Sequence, residues 1–306
     1  MSSVIELMAA LVYIFLRVLS LLPRNFSQYL GTLAGVLNAK LGSRSAQVTR
    51  ANIELCIPGL SGNLVARNKF SRQSLIETGK TIMETPAVWL GDFERIDEWI
   101  HVVHDEAILQ EHLNDPAGLL VLLPHMGNWE LFNVLFRRYG QMTALYQPPR
   151  LGYMQKVMQK VRARHGNHMV PTTSSGLKQL YKTLGGGGTA VILPDQVPAS
   201  GQFVPFFGHP VLTDALASRL LKKTGAKTLG ITMVRNGDGF FDAHVLAPDS
   251  SIYDLDEVTS MRAVNDLMQT CAEISIKQYQ WEYKRFRERP AGSPKIYRFN
   301  KPSGHH

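Results

Sequence analysis

A histidine and a glutamate lie five residues apart, directly after a short apolar run. Residues 119–130 read Leu-Leu-Val-Leu-Leu-Pro-His-Met-Gly-Asn-Trp-Glu, which places His125 and Glu130 around a turn. A neutral imidazole can take a proton from a hydroxyl near pH 7. A carboxylate bonded to the other ring nitrogen would fix the tautomer and stabilise the imidazolium as it forms. Such a pair could activate an alcohol supplied by a substrate. The alternative is a surface histidine beside a glutamate at a helix start.

The elements around this pair follow from the pattern of apolar residues. Apolar runs predict strands at 118–124, 142–146, 189–193, 228–234 and 240–246, and helices at 131–139, 153–164, 177–184, 215–223 and 258–279. This alternation predicts an α/β fold with a mixed, largely parallel sheet flanked by helices. His125 would then lie beyond the carboxyl end of a buried strand, where ligands of α/β folds bind. Asn128 would cap the helix that follows.

The chain before residue 118 has a different character. Residues 4–22 are apolar except for Glu6, Arg17 and Ser20, and as a helix they would extend roughly 28 Å, close to the ~30 Å hydrocarbon core of a bilayer. We predict a membrane-associated helix that spans the bilayer or lies in its interface; the alternative is a core helix. The predicted divisions are an anchor at 1–24, a helical region at 25–117 packed on the core, the α/β core at 118–300, and a remnant of an expression tag at 303–306.

Composition and charge limit the classes of function. The 306 residues are 44% hydrophobic and 19% charged, which is a globular composition. The net charge of +8 favours an acidic partner, such as nucleic acid, anionic lipid or an acidic carrier protein. Cys56 and Cys271 are far apart and outside any Cys-x-x-Cys motif, so we predict neither a disulfide framework nor a zinc site. The absence of Gly-x-Ser-x-Gly argues against an α/β-hydrolase.

The motif from His125 to Glu130 is similar to the H-x4-D/E motif of the glycerolipid-type acyltransferases. Other stretches narrow the resemblance to the late-acting lipid A acyltransferases of Gram-negative bacteria. In family order these stretches are residues 50–58 (RANIELCIP), 146–149 (YQPP), 195–196 (DQ), 203–208 (FVPFFG), 224–226 (TGA) and 281–290 (WEYKRFRERP).

The resemblance implies that the protein transfers a fatty acyl chain from acyl carrier protein, or from acyl-CoA, to a hydroxyl of a lipid A precursor. This would occur in lipopolysaccharide biosynthesis on the cytoplasmic face of the bacterial inner membrane. His125 would be the base and Glu130 its partner. The resemblance places Arg164 at the family's basic motif, where it would bind an acceptor phosphate or polarise the thioester carbonyl. The other residues that we assign to substrate binding are Asp195, Asn128 and Gln196.

No cofactor, metal or nucleic-acid partner is expected for this reaction. Residues 197–201 and 210–213 depart from the family pattern, which leaves the donor and acceptor details open. Three other functions remain as alternatives. They are an acyltransferase for another glycolipid or phospholipid, a non-catalytic basic membrane protein that binds lipid or nucleic acid, and a hydrolase that passes the acyl group to water. The length of the acyl chain is not predicted.

Overall fold

The structure is a computed structural model that describes residues 2–164, 166–297 and 299. Within these residues the α-helices are α1 (Ser2–Leu19), α2 (Arg24–Lys40), α3 (Arg44–Cys56), α4 (Leu64–Leu90), α5 (Phe93–Asp97), α6 (Glu106–Leu113), α7 (Phe132–Leu135), α8 (Gly152–Arg164), α9 (Ser174–Gly185), α10 (Leu216–Thr224) and α11 (Glu257–Ile274). The strands are β1 (Ile100–His104), β2 (Leu119–Leu122), β3 (Met142–Tyr146), β4 (His168–Pro171), β5 (Thr189–Ile192), β6 (Gln202–Phe206), β7 (His209–Thr213), β8 (Lys227–Arg235) and β9 (Phe241–Leu246). The predicted tag remnant at 303–306 lies outside the described residues.

Seven strands form one sheet in the order β1-β9-β8-β2-β5-β3-β4. All neighbouring strands in it are parallel except β8 and β9, which are antiparallel. The predicted mixed, largely parallel sheet flanked by helices is therefore confirmed. The four residues of β2 and the four of β5 are all buried, because helices cover both faces of the centre of the sheet.

Four strands were not predicted, and one of them corrects a predicted boundary. β1 lies within the region 25–117 that we expected to be helical, and it pairs with β9 at the edge of the main sheet. The strand is short and partly exposed, and its sequence Ile-His-Val-Val-His has no regular alternation of apolar and polar residues. The local pattern is therefore weak, and pairing with β9 decides its structure. The edge strand β4 and the separate antiparallel hairpin of β6 and β7 are the other three.

The helix predicted at 131–139 is instead a succession of short turns. Residues Trp129–Leu131 and Phe136–Arg138 are 3₁₀ turns on either side of the single α-helical turn α7. Phe132, Val134, Leu135 and Phe136 are buried, so this segment lies against the sheet along nearly its whole length. Packing, rather than helical propensity, decides its path.

The N-terminal helix α1 is attached to the body of the protein along one face. Ala9 and the partly buried Val12 and Leu16 pack with Leu90 of α4 and Val157 of α8. Its opposite face exposes large apolar residues: Val4, Leu7, Leu11, Ile14, Phe15 and Val18. No single helix within the described residues has the length and apolarity of a membrane span, although residues 4–19 and α2 together do, with a bend of 112° between them.

Glycines bring α2 into close contact with α4. A Cβ atom at Gly31 would lie 2.4 Å from the Cα of Lys80, and one at Gly79 would lie 2.2 Å from the carbonyl oxygen of Gly31. No larger residue fits at either position without separating the helices. The face of α2 opposite this contact exposes Phe26, Tyr29, Leu33 and Leu37, so the chain presents a second apolar surface besides that of α1.

Candidate active site

His125 is paired with Asp195 in the structure. The Nδ1 atom of His125 lies 2.6 Å from Oδ1 of Asp195, and the backbone N–H of His125 donates to Oδ2 at 2.8 Å. Strands β2 and β5 are parallel neighbours, with Leu122 opposite Ile192. Since each of the two residues lies three positions beyond its strand, the register of the strands brings them together at the carboxyl edge of the sheet.

The surroundings of Asp195 keep its carboxylate charged. Burial by itself raises the pKa of Asp195, but the nearby charge and two hydrogen bonds of His125, together with the charge of Arg285, give a net lowering. A carboxylate only accepts hydrogen bonds, so Nδ1 of His125 carries a proton, and in the neutral form of the imidazole Nε2 holds the lone pair. Among the described residues no group is hydrogen-bonded to Nε2. The imidazole is therefore in the tautomer that a general base requires.

The backbone turn of His125 requires a glycine two residues later. Gly127 has a φ of +54°, and a Cβ atom there would lie 1.8 Å from the carbonyl oxygen of Met233. The N–H of the following residue, Asn128, donates to that same carbonyl at 3.1 Å. On the other side, the carbonyl of His125 accepts from the N–H of Gln280 at 3.0 Å. The turn is thus held against β8 and the segment after α11.

The structure does not pair Glu130 with His125 as we predicted. Asp195 occupies the place at Nδ1, and within the described residues the side chain of Glu130 accepts a long hydrogen bond of 3.4 Å from Asn133 instead. Glu130 lies in a 3₁₀ turn on the wall of the same cavity as His125. Its negative charge acts on Arg162, whose pKa is lowered by burial and partly raised again by Glu130. A catalytic role of Glu130 remains a prediction, but not through that hydrogen bond.

Arg162, and not Arg164, is the arginine of α8 that lines the cavity. The guanidinium of Arg164 donates to the carbonyl oxygen of Gly91 at 3.0 Å, and its side chain is exposed. Two positions on a helix are about 200° apart, so the two side chains lie on opposite faces of α8. Arg162 stacks over the ring of Tyr146 at 4.1 Å, and its Nε atom is buried without a hydrogen-bond partner among the described residues.

The two remaining predicted residues have different surroundings. Gln196 lines the cavity, and its side-chain amide donates to the side chain of Gln280 at 3.3 Å. Asn128 is fully buried outside the cavity lining, and its amide donates to Glu84 at 3.3 Å. Asn128 therefore lies outside the cavity rather than on its wall, where our prediction of a substrate contact would place it, because Gly127 turns the chain toward α4 and β8.

The cavity next to His125 has a volume of about 500 Å³. It lies across the carboxyl ends of β2, β5 and β3 and contacts the apolar clusters on both faces of the sheet. Its apolar lining includes Leu123, Phe132, Met142, Ala144, Leu145, Val191, Ile192, Leu216 and Ala217. Its charged and polar lining includes Glu130, Asn133, Arg162, Gln196 and Asp214. An apolar chain with a polar end fits this lining.

One sequence signal could have predicted the pair of His125 and Asp195. Residues 121–125 read Val-Leu-Leu-Pro-His, and residues 191–195 read Val-Ile-Leu-Pro-Asp. Two buried strands that end in the same way would place the two polar residues at equivalent heights if the strands are parallel neighbours.

Sequence reasoning missed Tyr279, whose pKa is raised far above its usual value by burial and by the charge of Asp195.

The fold and this geometry define an α/β protein in which a histidine on the wall of a largely apolar cavity is paired with a buried carboxylate behind it. The family model described as bacterial lipid A biosynthesis acyltransferase matches residues 2–288. The chain belongs to this family and is therefore an acyltransferase of lipid A biosynthesis. This confirms the resemblance found in the sequence.

Relatives named as lipid A biosynthesis acyltransferases align over most of the chain. The chain is 25% identical to the lipid A biosynthesis palmitoleoyltransferase of Escherichia coli (strain K12) over 279 residues, with 90% of each protein covered. It is 26% identical to the lipid A biosynthesis lauroyltransferase of the same strain over 284 residues, again with 90% of each covered. A lipid A biosynthesis acyltransferase of Haemophilus influenzae is 26% identical over 287 residues, which cover 90% of this chain and 89% of that one.

Proposed function

We propose that this protein transfers a fatty acyl chain from acyl carrier protein, or from acyl-CoA, onto a hydroxyl of a lipid A precursor, with His125 as the general base. The observation that carries the proposal is His125, which lies on the wall of a cavity of about 500 Å³ with a mainly apolar lining and is paired through Nδ1 with the buried Asp195. The net charge of +8 supports an acidic carrier protein as the donor and a phosphorylated lipid as the acceptor.

The proposed reaction is a direct transfer. Nε2 of His125 takes the proton from the acceptor hydroxyl, and the hydroxyl oxygen attacks the carbonyl carbon of the thioester. The new carbon–oxygen bond forms as the carbon–sulfur bond breaks, and the imidazolium returns the proton to the leaving thiolate. Asp195, held charged at Nδ1, stabilises the imidazolium between these two transfers. The products are an ester and a free thiol, so no covalent intermediate on the protein is needed.

Arg162 supplies positive charge to the same cavity. Among the described residues no hydrogen bond or ion pair holds its guanidinium, and Glu130 is the carboxylate whose charge acts on it most strongly. An arginine with a free donor can bind an acceptor phosphate or stabilise the thioester oxygen as negative charge develops on it. Glu130 then orients Arg162, which differs from the predicted role as partner of His125.

We expect Arg162→Gln to lower the rate of transfer about 100-fold, because it removes a charged donor from the cavity. Arg164→Gln is the matched control on the same helix, and it should retain the wild-type rate within about twofold. Steady-state kinetics with varied acceptor separate the two roles, since loss of phosphate binding raises KM and loss of carbonyl stabilisation lowers kcat. A larger loss in Arg164→Gln than in Arg162→Gln would contradict the assignment of Arg162.

We also propose that the exposed apolar faces of α1 and α2 bind the cytoplasmic surface of the bacterial inner membrane. Leu11 and Phe15 of α1 are 59% and 61% exposed, and Leu33 and Leu37 of α2 are 49% and 56% exposed. Apolar surface of this extent is costly in water and typical of a binding face. The packing of the inner face of α1 on α4 and α8 favours a helix that lies in the interface over a separate spanning helix.

An assay with vesicles tests the proposed function. Purified protein is mixed with vesicles that contain a lipid A precursor, and acyl carrier protein or CoA carrying a labelled acyl chain is added. We expect the precursor to gain the mass of one or more acyl chains, as measured by mass spectrometry. Transfer only to phospholipid in the vesicles would favour the alternative acceptor, and acyl release to water regardless of acceptor would favour the hydrolase.

Flotation of the same vesicles measures membrane binding. The double variant Leu11→Asp/Phe15→Asp should lose most of its flotation, because charged residues in the apolar face are costly in the interface. Leu255→Asp is the matched control, since Leu255 is 76% exposed and its carbonyl oxygen accepts from Lys222 of α10 rather than from α1 or α2. Equal flotation of the wild type and both variants would contradict the proposed membrane face without bearing on the transfer reaction.

A further inference from the structure

A buried cluster of charges lies behind the turn that carries His125. Arg235, the last residue of β8, pairs with Glu84 and Glu77 of α4. Its Nε atom donates to Oε1 of Glu84 at 2.8 Å, and a second guanidinium nitrogen pairs with Oε2, so the contact is bidentate. Glu84 is fully buried, Arg235 is 5% exposed, and neither lines the cavity. The cluster therefore does not touch a substrate bound there.

The carboxylate of Glu84 also binds the turn itself. Its Oε2 accepts from the side-chain amide of Asn128 at 3.3 Å, and its Oε1 accepts from the side-chain amide of Gln28 in α2 at 2.8 Å. The side-chain oxygen of Asn128 is buried without a hydrogen-bond partner among the described residues. Glu84 is thus the group that orients the buried amide of Asn128.

Two further links connect the cluster to the backbone of the turn. The hydroxyl of Thr81 accepts from the guanidinium of Arg235 at 3.2 Å and donates to the carbonyl oxygen of Gly127 at 2.8 Å. The carbonyl of Gln278 accepts from the N–H of Gly127 at 2.9 Å, while the side chain of Gln278 bonds the backbone N–H and carbonyl of Arg235. Arg235 is therefore connected to the turn by three chains of hydrogen bonds, which pass through Glu84, Thr81 and Gln278.

We propose that Glu84 and Arg235 are positioning residues for His125, an inference that rests on the proposed function. They hold the turn of residues 125–128 so that the imidazole stays between Asp195 and the cavity. A buried ion pair adds little net stability compared with apolar residues of similar size, because the loss of hydration offsets the attraction of the charges. Its effect on rate is larger, since a displacement of about 1 Å in a catalytic group can cost about 100-fold.

The test separates stability from positioning by replacing both charges together. In the double variant Glu84→Leu/Arg235→Met no unpaired charge is left buried, and Glu77 keeps its ion pair with Lys80 at 2.8 Å. We expect the Tm to stay within about 3 °C of the wild type. We expect kcat for acyl transfer to fall about 30-fold, with KM for both substrates nearly unchanged.

Ile252→Ala is the control for general destabilisation. Ile252 is fully buried, and its neighbour Tyr253 accepts from the backbone N–H of Thr228 near the beginning of β8, at the opposite end of the sheet from His125. Ile252→Ala should lower the Tm by about 5 °C or more and leave kcat at 25 °C unchanged.

A third variant tests the route through the turn and remains informative if the double variant does not fold. Asn128→Leu removes the amide that Glu84 orients but leaves the ion pair of Glu84 with Arg235 in place. We expect a similar loss of kcat, and combination with the double variant should add little further loss because both changes act on the same turn.

Two results would overturn the inference. One is a folded double variant with the kcat of the wild type, and the other is a folded Asn128→Leu with the kcat of the wild type. An inactive wild-type protein in the same assay would instead remove the proposed function, so the two failures are distinguishable.

Discussion

We expect His125→Gln to lower the rate of acyl transfer about 1,000-fold while the protein stays folded. The glutamine side chain can still donate a hydrogen bond to Asp195, so the buried carboxylate keeps a partner. It has no basic nitrogen, and the acceptor hydroxyl is then left without a group to take its proton. We expect a large effect because, among the described residues, no other group lies within hydrogen-bond distance of Nε2 to take over the proton.

The measurement is the initial rate of ester formation with labelled donor and vesicle-bound acceptor, together with the Tm of each variant. His104→Gln is the matched control, because His104 is an exposed histidine stacked on His244 at the edge of the sheet. It should retain the wild-type rate. A rate for His125→Gln within tenfold of the wild type would rule out the general-base mechanism, although the family membership of the chain would stand.

The second large effect is expected for Asp195→Asn. An asparagine amide can donate to Nδ1 of His125, and this bond favours the tautomer with its proton on Nε2, where the lone pair is needed. The change also removes the charge that stabilises the imidazolium. In serine proteases the equivalent change costs about 10,000-fold, and we expect a loss of at least about 1,000-fold here.

The control for Asp195→Asn is an aspartate on the wall of the cavity that His125 lines. Asp214 is exposed and accepts a hydrogen bond from the backbone N–H of Leu216 at 2.8 Å, with no contact to His125. Asp214→Asn should retain most of the activity. If Asp195→Asn were active and Glu130→Gln alone were inactive, Glu130 rather than Asp195 would be the functional partner of His125.

The correction from Glu130 to Asp195 has a physical origin. The spacing of His125 and Glu130 is local, so it is visible in the sequence, and both side chains do line one cavity. The partner of an imidazole, however, is decided by distance in space. Asp195 is 70 residues away, and only the parallel register of β2 and β5 brings it within 2.6 Å of Nδ1.

The correction from Arg164 to Arg162 has a similar cause. The basic end of α8 is evident from the sequence, and its two arginines are equivalent in residue type. Their positions on the helix differ by about 200°, so the rotation of α8 about its own axis decides which of them enters the cavity. That rotation is set by contacts of Val157 and Val161 with α1 and α4, which no local pattern specifies.

By itself, the sequence determined the class of fold and the family, and it predicted His125 as the centre of the candidate site, because these depend on local residue patterns. Buried strands are continuous apolar runs, and the residues that follow them form the carboxyl edge of the sheet. The tertiary structure alone decided the strand order, the partner of the imidazole, the arginine in the cavity, and the burial of Glu84 with Arg235 behind the turn. Each of these depends on which distant segments pack together, and packing energies are summed over contacts between residues far apart in the chain.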